Sequence, residues 1–150
     1  MAAERGMALP LALLAMVVIA ALVAGGFAAA LLEQRIGRNV LHAVQAQGAS
    51  EAGAAAVIGS WNDHGLGLLA AGDSAVLPPV QLPGRATYAP TVSRLNGELY
   101  LVRVEGVRAG ADGTELARRE VGLLVRISDS ASAGSPPVIP LANRSWTGAF

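Results

Sequence analysis

The order of apolar and polar positions divides this chain into a greasy first part, a striped second part and an alternating third. Met7 through Leu32 is a run of 26 residues with neither a charge nor a hydrogen-bonding side chain. Wound as a helix at about 1.5 Å per residue it reaches roughly 39 Å, more than the ~30 Å hydrocarbon core of a bilayer. A secretory signal peptide has an apolar stretch of only about 7–15 residues before its cleavage site, so Ala28-Ala29-Ala30 is not read as such a site and the helix is retained. Past Leu32 the pattern changes. Ile36, Val40 and Val44 recur at every fourth position among Glu33, Arg35, Arg38, Gln45 and Gln47, which predicts a half-buried continuation with one apolar face. Together these segments predict one helix over about 7–58. Gly48 and Gly53 are its weak points, each costing roughly 1 kcal/mol against Ala, and a bend is expected near them.

Residues 60–74 read as a short helix or turn with a glycine stop, and Trp61 as a packing residue beneath a sheet. Pro78, Pro79 and Pro83 mark a linker that neither a helix nor a central strand tolerates. Alternation with a period of two follows. Ala86–Leu95 and Glu98–Val107 flank Asn96-Gly97, the dipeptide that favours the positive φ angles of a type I′ hairpin. Tyr100, Val102 and Val104 fall on one face of the second strand, with Leu101, Arg103 and Glu105 on the other. A loop with Asp112-Gly113 leads into Glu115–Ile127, where Val121, Leu123, Val125 and Ile127 are expected to face the helix. Cross-strand pairing of Arg103 with Glu120 and of Glu105 with Arg118 is expected on the watered face. Residues 128–142 read as loop, and Trp146 and Phe150 as aromatics that dock back on the domain, since left uncovered they would form an apolar patch. The fold class is α+β: a long N-terminal helix, membrane-embedded in its first half, packed on an antiparallel meander of three or four strands.

Composition narrows the functional classes. The 150 residues carry no formal net charge and have a mean hydropathy of +0.47, with most of the apolar excess in the first helix. No basic surface is implied, so no nucleic-acid partner is expected. The sequence has no cysteine, which removes disulfides, thiol catalysis and cysteine-ligated metals together. His42 and His64 lack the clustered ligands that a metal site requires. Ser60, Asp63 and His64 are too close in sequence for a hydrolytic triad, which is assembled from distant segments. Gly65-Leu66-Gly67 lacks the rest of a dinucleotide fingerprint, and Asn143-Arg144-Ser145 is a chance-level glycosylation match. No enzymatic activity, cofactor or metal is expected.

Flanking charges alone, Arg5 before the helix and Arg35 and Arg38 after it, place the C-terminal side in the cytoplasm. The junction Arg5-Gly6-Met7-Ala8-Leu9-Pro10-Leu11 points the other way. It resembles a type IV prepilin signal, in which a prepilin peptidase cuts after the glycine and methylates the new N-terminus. The resemblance makes Gly6 and Met7 the cleavage site and Met7 the methylated residue. Pro10 then falls in the first turn of the mature helix, where its missing N–H has no partner to lose. Glu33-Gln34-Arg35-Ile36-Gly37-Arg38-Asn39 and Ala46-Gln47-Gly48-Ala49-Ser50-Glu51-Ala52-Gly53 resemble the two stretches that follow the apolar helix in the PilX-like N-terminal domain of minor pilins.

Two positions depart from the major-pilin pattern: Met7 stands where Phe is usual, and Leu11 where the fifth mature residue is usually Glu. The resemblance therefore implies a minor pilin rather than a major one, acting in type IV pilus assembly or initiation through its N-terminal helix. Its implied partners are other pilin-like subunits, prepilin peptidase and inner-membrane lipid, and its C-terminal domain is extracytoplasmic. A pseudopilin of type II secretion and an uncleaved single-pass anchor are the alternatives. The implied organisation is a leader at 1–6, a transmembrane or filament-core helix at 7–32, its extracytoplasmic continuation at 33–58, a turn and Pro-rich linker at 59–84, and a sheet domain at 85–150.

Overall fold

A computed structural model describes residues 8–128, 138–141 and 147–149. The chain forms two compact units, residues 1–38 and residues 39–150. A single helix, α1 (Ala8–Gly59), belongs to the first unit by its apolar part and to the second by its C-terminal part. It stays α-helical through Gly48 and Gly53, so neither glycine ends it. In the first unit the side chains from Leu9 to Arg38 are exposed, and the helix is long and apolar enough to cross a membrane.

The second unit is an α+β layer pair. After α1 come a turn, a short 3₁₀ segment (Leu66–Leu68), and strands β1 (Ser74–Val76), β2 (Val80–Leu82), β3 (Ala86–Arg94), β4 (Leu99–Ala109), β5 (Glu115–Ile127), β6 (Val138–Pro140) and β7 (Thr147–Ala149). All described pairings are antiparallel. The long strands β3, β4 and β5 form the expected meander at the centre. Short strands blunt both edges: β1 and β2 pair with β3, while β6 and β7 pair with β5. The sheet is thus wider than a three- or four-stranded meander. Of its edge strands, β1, β2 and β6 lie within 59–84 and 128–142, which the residue pattern marks as linker and loop, and β7 lies beyond them. The reason is physical: Pro78 and Pro79 separate β1 from β2, Pro83 ends β2, and three residues on an edge leave almost no periodic signal.

Alternation on β3 and β4 is as expected, while on β5 Gly122 is buried along with its neighbours Val121 and Leu123. Tyr100, Val102 and Val104 are fully buried, and Val121, Leu123 and Val125 nearly so. The helix face that meets them differs from the expected one. Ile36, Val40 and Val44 are exposed, at 54–61% of their surface. The buried positions are instead Ala46, Ala49, Ser50, Gly53, Ala54 and Val57, a stripe at helical spacing made almost wholly of small residues. Small side chains let the helix backbone approach the sheet closely.

The hairpin at Asn96-Gly97 forms with a different turn. Neither residue has a positive φ, so it is not type I′. Four residues separate the strands, and Asn96 Oδ1 accepts from the backbone N–H groups of Glu98 and Leu99 at 3.1 and 2.9 Å. The asparagine acts here by its side chain rather than by its backbone freedom. Gly6, Met7, Asn143-Arg144-Ser145, Trp146 and Phe150 lie outside the described residues.

Candidate functional site

Three features could carry function: the exposed apolar helix, its seam with the sheet, and a cleft beside that seam. The first is chemically simple. From Leu9 to Leu32 the helix presents leucine, valine, isoleucine, methionine and phenylalanine around its whole circumference, all of them exposed. Backbone groups in such a helix are satisfied internally, so lipid or other apolar helices can cover it without stranding a polar group. The first charge after the run is Glu33.

The seam fixes the C-terminal part of α1 on the sheet. A Cβ on Gly106 of β4 would lie 2.1 Å from the Ala46 carbonyl oxygen and 2.7 Å from the Ser50 amide nitrogen. On the helix side, a Cβ on Gly53 would lie 2.7 Å from both the Tyr88 ring and the Val104 side chain. Two glycines therefore set the helix–sheet spacing from opposite sides. Ser50 is fully buried between them and donates its hydroxyl to the Gln47 carbonyl at 2.8 Å. Further along, Val57, Trp61 and Leu66 close the core over Val92, Tyr100 and Val125. Trp61 is buried as expected, and its ring meets Tyr100 edge-on at 5.0 Å.

Arg94 ties the end of this core together, a role with no precursor in the residue pattern. Its guanidinium donates to the carbonyls of Leu69, Asn96 and Gly97 at 2.5, 3.0 and 2.6 Å, and lies 5.4 Å from the centre of the Tyr100 ring. Only the fold brings those three carbonyls together.

The cleft, about 290 Å³, lies between α1 and the β2–β3 turn. Gln45, Gly48 and Ala49 form the helix side, Leu82, Pro83, Gly84 and Ala86 the turn side, and Arg108 one end. Arg108 is held in place: its Nε donates to Gln45 Oε1 at 2.7 Å, and its Nη1 donates to the carbonyls of Ala109 and Arg85. It also sits where the β4–β5 register shifts, and Arg85 is the non-glycine residue with positive φ among those described, at 60°.

The histidines offer no comparable arrangement. His64 is exposed in the turn, His42 is half-buried on α1, and among the described residues no group of three or more His, Cys, Asp or Glu comes together to hold a metal. On the outer face of the sheet the expected pairs are present, Arg103 with Glu120 and Arg118 with Glu105, and Arg118 also binds Glu115. Comparison with family models, curated proteins and solved structures finds no match to this chain.

Proposed function

We propose that this chain is a membrane-anchored structural subunit of the minor-pilin kind, inserted by residues 7–32 and assembling through that helix with other pilin-like subunits. The observation that carries the reading is the change of surface along α1. Its exposed side chains are apolar as far as Leu32, whereas residues 46–57 present small side chains to an antiparallel sheet. A helix of the first kind needs lipid or other helices around it, and its association there rests on packing rather than on burial from water. Cleavage after Gly6 and methylation of Met7 then leave the helix in the inner membrane with the sheet domain outside the cytoplasm. The protein works by contact; no catalytic group is required of it.

Cysteine cross-linking tests the assembly directly, because the native sequence has no cysteine to interfere. Single cysteines placed from Leu11 to Leu31 and oxidised in the membrane should form disulfide-linked species on one side of the helix, recurring at helical spacing. Uniform or absent cross-linking in cells that assemble pili would contradict a helix-mediated assembly and leave a simple anchor.

A further inference from the structure

The cleft beside the seam lies wholly within the second unit, and the anchoring role leaves it without a purpose. We infer that it binds a short aliphatic carboxylate, with Arg108 taking the carboxyl group and the walls of Ala49, Leu82, Pro83 and Ala86 taking the hydrocarbon body.

The argument rests on three observations. First, the cation is fixed in advance. Gln45 and two backbone carbonyls hold its Nε and Nη1, and among the described residues its Nη2 has no hydrogen-bond partner and no carboxylate lines the cleft. A guanidinium whose Nε and Nη1 are engaged and whose Nη2 is free keeps donors for a charge-assisted hydrogen bond to a carboxylate. Second, the backbone around it is unusual. The β4–β5 register shift falls between Arg108 and Ala109, and the left-handed Arg85 supplies one of the carbonyls that hold Arg108. Bulges commonly re-aim a side chain at a site, and a strained non-glycine residue persists where its surroundings over-determine it. Third, Gly48 keeps the cleft open without serving the fold. A Cβ there would meet nothing within 4 Å, whereas Gly53, less than two turns on, has no such room. A helix interior would be more stable with almost any other residue at 48, so the gap is not a packing requirement. The remaining space, about 290 Å³, is at the small end of ligand pockets and suits a molecule of roughly eight non-hydrogen atoms.

The test uses the full chain in nanodiscs and 4-methylpentanoate as the probe, read by ligand-observed NMR against empty nanodiscs. Saturable binding is expected, with a Kd on the order of millimolar for so small a ligand. The uncharged 4-methylpentanamide should bind at least about tenfold more weakly, because it lacks the charge-assisted bond. Arg108→Gln should abolish binding. Gly48→Leu should also abolish it by filling the cleft, while melting no lower than the native chain, which separates occlusion from misfolding. No saturable signal above the empty discs, equal binding of acid and amide, binding that survives either substitution, or a Gly48→Leu chain that melts lower would each overturn the assignment.

Discussion

Glu105 on β4 and Glu120 on β5 stand directly across from one another in the strand register. Like charges in that position repel, and the sheet offsets the repulsion with ion pairs that run diagonally. Arg118 reaches Glu105 and also binds Glu115 at 2.5 Å, while Arg103 Nε lies 3.7 Å from Glu120. Removing Arg118 should therefore do more than remove an exposed pair, since it leaves two facing carboxylates with one distant cation. Arg118→Ala should lower Tm at low ionic strength more than Arg103→Ala. Thermal melts at ~1 M salt, where the Debye length is about 3 Å, should bring both variants close to the native value.

Acid should loosen the β4–β5 hairpin once pH falls below the ordinary carboxylate range. The Thr114 hydroxyl, followed by the Thr114 amide, holds the Asp112 carboxyl below its ordinary value, and hydrogen bonding from Arg118 does the same for Glu115. Both folded-state values are depressed, so the stabilisation is present above the unfolded-state values and is lost as pH falls through the folded ones. Carboxyl-detected NMR titration should place both midpoints below those of free peptides. Thr114→Val should move Asp112 upward and leave Glu115 where it was.

Three glycines on or against α1 should respond in opposite directions to the same methyl group. Gly48→Ala should stabilise by about 1 kcal/mol, because it adds helix propensity in open space. Gly53→Ala gains the same propensity but presses on Tyr88 and Val104, for a net loss of about 1–2 kcal/mol. Gly106→Ala collides with helix backbone that cannot rotate away and should cost about 3 kcal/mol. Denaturation followed by circular dichroism in the same detergent gives the ranking.

Tyr100 buries its hydroxyl completely with no hydrogen-bond partner among the described residues. A stranded polar group of this kind costs about 1–3 kcal/mol. Tyr100→Phe keeps the ring against Trp61 and Arg94 and should raise stability by about 1 kcal/mol, measured by the same unfolding curves.

How much was legible in the sequence followed the strength of each periodic signal. The apolar run from Met7 to Leu32 and the alternation through Tyr100, Val102 and Val104 come from many residues acting together, and the structure keeps both elements within a residue or two. The diagonal pairs Arg103–Glu120 and Arg118–Glu105 were legible because a meander fixes which positions share a face. The seam was not. Ala46, Ser50 and Gly53 weigh little on any hydrophobic scale, so the larger Ile36, Val40 and Val44 drew the expectation to a face the sheet does not cover. At Asn96 the dipeptide signalled a hairpin correctly and its turn type wrongly, since the side chain satisfied the loop that the backbone was expected to form. The cleft was invisible, because Gln45, Gly48, Pro83 and Arg108 meet only through the fold.

The assembly role depends first on what happens at Gly6 and Met7. Mass spectrometry of the protein extracted from the membranes of cells with an active prepilin peptidase should show a chain beginning at Met7 and carrying one N-methyl group. A chain beginning at Met1 or Ala2 in those cells would contradict the pilin reading and leave an ordinary membrane anchor bearing a small β-sheet domain.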